Sequence, residues 1–231
     1  MKAAKKFLIN KTFLVIIVLI LSSTFVHANF ANIEDSQIVL ITGFEPFGIY
    51  DLNPSQLIVE DLNGEIINGA EIVGIVLPVV FDAAIENITQ AIDNYNPSVV
   101  ISFGLDAKTE TIDVEKLSIN LKRYTKNESN FWFIPRFLDF GSPFFRLSTL
   151  KTKEIVENLK TENIPAKQSF FAGTYVCNAI FYKTQAYFDE NEICCQSGFI
   201  HVPLLDSQDP DGMQLETMID AAIIIIQTSL D

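Results

Sequence analysis

Cys177 stands in the run Gly173-Thr174-Tyr175-Val176-Cys177-Asn178, directly ahead of a stretch with helical spacing. A thiol at a helix N-terminus faces unpaired backbone N–H groups and the positive end of the helix dipole. Both favour an anionic sulfur, which is the nucleophilic form. A sulfur nucleophile works with a base, and the chain holds two histidines, His27 and His201. His27 lies in an N-terminal segment expected to be removed, which leaves His201. A lone cysteine is more commonly a small buried apolar residue, so the thiol alone decides little and its neighbours decide more.

The elements around these residues read as alternating strands and helices. Gln37 to Ile41 is an apolar run ending in Thr42-Gly43, the pattern of a buried strand entering a loop. Asn53-Pro54-Ser55 opens a helix that runs through Leu62 and stops at Asn63-Gly64. Glu71 to Leu77 predicts a strand, Asp82 to Tyr95 an amphipathic helix, and Ser98 to Phe103 a second buried strand. Val114 to Leu121 alternates as one strand. Residues 122–147 read as irregular and rich in aromatics, including Phe131, Trp132, Phe133, Phe137, Phe140, Phe144 and Phe145. Thr149 to Leu159 predicts a helix, Ala166 to Phe171 a strand, and Val176 to Phe188 the helix carrying the cysteine. Gln196 to Val202 predicts a strand with His201 near its end, and Met213 to Leu230 a last helix. This order gives an α/β fold, a three-layer α/β/α sandwich on a twisted, largely parallel sheet. Reactive groups in such sheets gather at the carboxyl ends of strands. Gly43, Gly104, Cys177 and His201 each follow or end one, so a single cleft could collect them.

Lys2, Lys5, Lys6 and Lys11, the apolar run Phe13 to Leu21, and Val26-His27-Ala28 form the pattern of a signal peptide cleaved after Ala28. The apolar run is short for a membrane span, which needs about 20 residues. Removing these 28 of 231 residues leaves 203, a length that suits one domain over 29–231. Four lysines and no acid leave with the segment, so the net charge goes from −13 to −17. That balance argues against nucleic acid and anionic membrane surfaces as partners. The expected location is secreted or periplasmic, with no stable membrane span after cleavage. Of three cysteines, Cys177, Cys194 and Cys195, an odd one is left over for a free thiol or an intermolecular bridge. Cys194 and Cys195 are expected as core thiols, because a bridge between sequence neighbours is strained. One remaining histidine and no Cys-x-x-Cys leave no metal-ligand spacing, and no cofactor is expected. Asn87-Ile88-Thr89 and Asn127-Glu128-Ser129 match the glycosylation pattern by chance, the first inside a predicted helix.

Four blocks stand out: Thr42-Gly43-Phe44-Glu45-Pro46-Phe47-Gly48 with Asn53-Pro54-Ser55; Gly104 to Asn120 with Val114-Glu115-Lys116; Ala172 to Asn178 with Phe181-Tyr182; and Gly198-Phe199-Ile200-His201-Val202-Pro203. Together they resemble the pyroglutamyl peptidase I family of cysteine peptidases. The resemblance implies removal of an N-terminal pyroglutamate through a thioester, with N-terminally pyroglutamylated peptides as partners. It implies a triad of Cys177 as nucleophile, His201 as base and Glu115 as the carboxylate that orients the imidazole. It also implies an apolar pocket for the lactam from Phe44, Phe47 and Tyr175, where the tyrosine replaces a usual phenylalanine.

The chain departs from the family pattern at several places. Leu105 stands where glutamine is usual. Asp106-Ala107-Lys108-Thr109 replaces a glycine- and arginine-containing run, and Thr125 replaces an arginine. Arg123, two residues before Thr125, is the candidate substitute for that cation. Two other readings compete: a binding protein on the same scaffold with a weakened site, and a cysteine hydrolase of another small amide. The oligomeric state, monomer or homo-oligomer, is left open by the sequence.

Overall fold

A computed structural model describes residues 37–123 and 136–231 of the chain. The proposed leader 1–28, Thr125, the Asn127 pattern and the aromatics Phe131, Trp132 and Phe133 lie outside the described residues.

Nine strands and five helices are described. They are β1 (Ile38–Phe44), α1 (Pro54–Leu62), β2 (Ile66–Ile67), β3 (Ala70–Leu77), α2 (Phe81–Tyr95), β4 (Val99–Leu105), β5 (Ile112–Glu115), β6 (Leu117–Ile119) and β7 (Phe145–Leu147). Then follow α3 (Thr152–Thr161), β8 (Ala166–Ser169), α4 (Val176–Glu190), β9 (Gln196–Val202) and α5 (Leu215–Leu230). Seven strands form one sheet in the order β2-β3-β1-β4-β9-β5-β8, and β6 pairs with β7 in a separate ribbon. The pairs β3–β1, β1–β4, β4–β9 and β5–β8 are parallel, while β2–β3 and β9–β5 are antiparallel. The fold is therefore an α/β/α sandwich on a largely parallel sheet.

Strand period 2 builds the two outer layers. Val39, Ile41, Ile101, Ile112, Val114 and Ile200 pack under α1, α3 and α5. Leu40, Phe44, Val100 and Phe199 pack under α2 and α4 on the opposite face. The central strands are apolar on both faces because both faces are covered.

The stretch Val114 to Leu121 is two strands, not one. The chain leaves the main sheet at Lys116, whose N–H bonds Ser169 O at 2.6 Å and whose carbonyl accepts from Ser148 N at 2.9 Å. Alternation alone does not reveal that the hydrogen-bond partners change there. The expected irregular region also contains β7, a three-residue strand too short to show a period. Among the described residues, no helix is long and apolar enough to cross a membrane.

Candidate active site

The opening block and Asn53-Pro54-Ser55 form one structural unit. Asn53 caps α1 by accepting from Ser55 N at 3.1 Å and from Ser55 Oγ at 2.8 Å. Ser55 Oγ in turn accepts from Phe44 N at 3.1 Å, and Asn53 Nδ2 donates to Glu45 O at 3.1 Å. A Cβ on Gly43 would lie 2.2 Å from Ser55 O, so only glycine lets helix and strand approach this closely. This knot fixes Phe44, which is buried with its ring 6.3 Å from that of Phe199. Phe47, in the loop beyond, is 38% exposed and packs edge-on against Tyr50.

Cys177 is the second residue of α4. Gly173 precedes the helix at φ +79°, and the cap residue Tyr175 makes no side-chain capping bond. The fully buried Asn178 pins this helix start to β6. It donates to Ile119 O at 2.8 Å and Leu121 O at 2.9 Å, and accepts from Ile119 N at 2.9 Å. Arg123 N bonds Thr174 O at 2.8 Å, so the backbone of the candidate cation touches the nucleophile loop. Its side chain is exposed. Tyr175 is half exposed at the rim.

His201 and Glu115 come together inside. His201 Nδ1 lies 2.8 Å from Glu115 Oε1, and both side chains are buried. Among the described residues the second carboxylate oxygen has no partner, so the whole hydrogen-bonding capacity used by Glu115 goes to His201. Cys177 lies near the same ring, its sulfur beside the strand position Gly104 that pairs with His201, and it favours the charged imidazole. Burial alone would drive the proton off the ring. The bonds to Cys177 and Glu115 outweigh burial and push the His201 pKa up to about 10. The Phe199 ring packs on the imidazole with centroids 4.9 Å apart.

Gly104, expected at the cleft by its place at a strand end, has a role the sequence does not show, and Phe199 escapes it altogether. A Cβ at Gly104 would stand 3.0 Å from Cys177 Sγ and 2.7 Å from Phe199 Cζ, so the absent side chain is the space that seats the sulfur. Phe199 is a ring that walls the imidazole. The only signal for either was position: Gly104 closes an apolar strand, and Phe199 lies two residues before His201.

Register puts these residues in one row. Thr42 pairs with Ser102, which brings Phe44 level with Gly104 two residues on. Gly104 pairs with His201, His201 with Asp113, and Asp113 with Lys167. Residues directly opposite on paired strands share a face, so Phe44, Gly104, His201, Asp113 and Lys167 cross five strands in line. Alternation along β4 places Leu105 on the other face, away from Cys177. Cys194, expected in the core, is exposed because it lies in the turn before β9; Cys195 is half buried, and burial followed by the neighbouring Cys194 pushes its thiol to about 12. A cavity of about 450 Å³ lined by Phe81, Asp82, Lys122 and Lys183 lies elsewhere, without a nucleophile or histidine. Among the described residues no group of three His, Cys, Asp or Glu side chains could hold a metal.

The chain matches the family model described as pyroglutamyl peptidase over residues 37–230. It is 37% identical over 172 residues to the pyrrolidone-carboxylate peptidase of Coprothermobacter proteolyticus, covering 74% of this chain and 83% of that protein. The enzyme of the same name from Aliivibrio fischeri is 37% identical over 199 residues, 84% of this chain and 92% of its own. Among solved structures, pyrrolidone carboxyl peptidase from Thermococcus litoralis superposes with a TM-score of 0.80 at 30% identity, covering 84% of this chain and 94% of that one.

Proposed function

Because the chain belongs to the pyroglutamyl peptidase family of cysteine hydrolases, we propose that it hydrolyses the amide bond after an N-terminal pyroglutamate by a Cys177–His201–Glu115 triad. The observation that carries this reading is the buried His201–Glu115 pair, with Nδ1 2.8 Å from Oε1, beside the strand position Gly104 against which the Cys177 sulfur sits. Cys177 Sγ attacks the exocyclic carbonyl carbon. The first-turn N–H groups of α4 stabilise the oxyanion that forms. The C–N bond breaks as the imidazolium of His201 gives its proton to the departing amine. Water then adds to the thioester, losing a proton to His201, and pyroglutamate leaves as the sulfur is regenerated. Glu115 accepts from Nδ1–H throughout, which fixes the ring orientation and the proton-bearing nitrogen.

The neutral lactam suits the apolar end of the row at Phe44, with Phe47 and Tyr175 at the rim. Arg123 stands beside the nucleophile loop as the candidate cation for the developing charge. Leu105 faces the opposite layer, which removes one motive for reading the site as a weakened binding protein. The mature protein would comprise residues 29–231 and act outside the cytoplasm, a proposal supported by the lysine-flanked apolar run before Ala28.

The test is turnover of a pyroglutamyl fluorogenic amide by protein beginning at Asn29, with and without reductant. Hydrolysis that requires reduced Cys177 supports the reading. Efficient alkylation of Cys177 without hydrolysis of any pyroglutamyl amide would refute it. N-terminal sequencing of the protein recovered outside the cytoplasm checks the cleavage after Ala28.

A further inference from the structure

The row of residues that carries the site continues past His201. Its next members, Asp113 and Lys167, are paired in register and in charge. Asp113 is buried, accepts from Thr111 Oγ1 at 2.6 Å through Oδ1, and pairs through Oδ2 with Lys167 Nζ at 3.4 Å. The Lys167 side chain is 56% exposed. The carboxylate is thus an anchor with both oxygens engaged, and the ammonium is the group presented outward.

Chemistry gives the row a direction. The acyl half of the substrate ends in the lactam, which the aromatic end at Phe44 accommodates. The amine half must meet the proton on His201, so it departs on the His201 side of the scissile bond. Beyond His201 on that side lie Asp113 and then Lys167. Neighbouring strands are about 4.8 Å apart, which places the Lys167 backbone about 10 Å from that of His201. A four-carbon stem spans much of that interval.

Resting on the activity proposed above, we propose that Lys167, anchored by Asp113, forms a leaving-side subsite for an anionic group on the residue after pyroglutamate. The anion is either the terminal carboxylate of a pyroglutamyl dipeptide or the side chain of Asp or Glu at that position. On a chain of net charge −13, such substrates are repelled by the protein as a whole. A cation fixed beside the departure path offsets that repulsion locally. No bond is made or broken by Lys167; it acts on binding of the leaving half.

The experiment compares kcat/KM of wild type and Lys167→Met on four substrates at low salt. These are pyroglutamyl-alanine, pyroglutamyl-alanine amide and pyroglutamyl-glutamate diamide, whose side chain is also blocked, alongside pyroglutamyl-glutamate α-amide with its side chain free. An exposed ion pair is a weak interaction, so the variant should lose roughly threefold on an anionic substrate. The neutral amides should be unaffected, and the loss should vanish at high salt. Loss on pyroglutamyl-alanine alone assigns the terminal carboxylate; loss on the glutamate α-amide alone assigns the side chain. Because Lys167→Met leaves Asp113 without its cation, the double variant Asp113→Asn/Lys167→Met is measured too and should show the same selectivity. Equal loss on charged and neutral substrates, or no loss on either anion, overturns the subsite. Wild type that turns over none of the four overturns the activity itself, and the subsite with it.

Discussion

On β9, Ile200 and Val202 point into the layer beneath α1, α3 and α5, while Phe199 and His201 point toward α2 and α4. On β5, Ile112 and Val114 go with the first pair, and Asp113 and Glu115 with the second. On β4, Ile101 and Phe103 face one way, Ser102 and Gly104 the other. Toward the site, the same strands thus keep one face purely hydrocarbon, while the other sets small, polar and titratable residues beside apolar ones such as Phe199. Only a period of two separates them. The first face can supply stability without regard to chemistry. The second carries buried charge, which costs desolvation unless it is paired, and it has been paired: Glu115 with His201, Asp113 with Lys167 and Thr111.

Cys177→Ser is the sharpest test of that division. Turnover should fall by roughly 10⁴–10⁶, with a far smaller effect on the melting temperature than loss of the histidine, since the fold around the sulfur is kept. His201→Gln should lose activity as completely but also lose stability, because Glu115 then sits buried without a cation. Adding Glu115→Gln should restore the melting temperature and not the turnover. If His201→Gln melts like wild type, the functional face carries no stability through this pair and the contrast between faces is simpler than stated.

The converse substitution is Ile200→Ala, one residue from the histidine on the hydrocarbon face. It should cost about 2–5 kcal/mol in urea unfolding, with kcat per folded molecule close to wild type. A hundredfold loss of kcat in fully folded protein would mean that the two faces are mechanically coupled through β9. Gly104→Ala probes the coupling from the other side. Its new Cβ meets the sulfur at 3.0 Å and the Phe199 ring at 2.7 Å, so the nucleophile must shift. Misplacement of this order costs about 10²-fold in rate. The fall should appear in kcat rather than KM, with a smaller effect on the melting temperature.

Much of this arrangement was legible in the sequence, and the exceptions share a cause. The bounds of β9, Gln196 to Val202, are legible because its apolar residues Phe199, Ile200 and Val202 run up to Pro203, which ends the strand. The start of α1 was legible because Asn53-Pro54-Ser55 combines a cap with a proline at the first helical position. The proposed triad rests on four blocks of resemblance, not on periodicity. What stayed hidden is register. Asp113 is next to His201 and to Lys167 only through cross-strand pairing, which no local pattern encodes. The break at Lys116 and the strand β7 were missed because segments of three or four residues are too short to show alternation. Cys194 was misplaced because a turn residue beside a buried strand has the same composition as a core residue.

The last of these effects is the pH response of the paired face. Burial opposes protonation of His201, and the bonds to Cys177 and Glu115 reverse that, raising its pKa from 6.5 to about 10. The unfolded chain titrates this histidine near the ordinary value of about 6.5. Between these limits the native state holds a proton that the unfolded state has released, so stability must fall as pH rises. The contribution is full below about 6.5 and is lost as pH rises through about 10. The urea midpoint of wild type should therefore decline across that window more than that of His201→Gln, which lacks the titrating group. In the proposed mechanism the same proton is given to the leaving amine, so kcat/KM should keep its alkaline limb far above the range of a free imidazole. Glu115→Gln removes one of the two bonds that favour the charged ring and leaves the burial in place, so that limb must move to lower pH. A wild-type limb near neutral pH, or a limb that Glu115→Gln leaves where it was, would show that the carboxylate orients the ring without holding its charge.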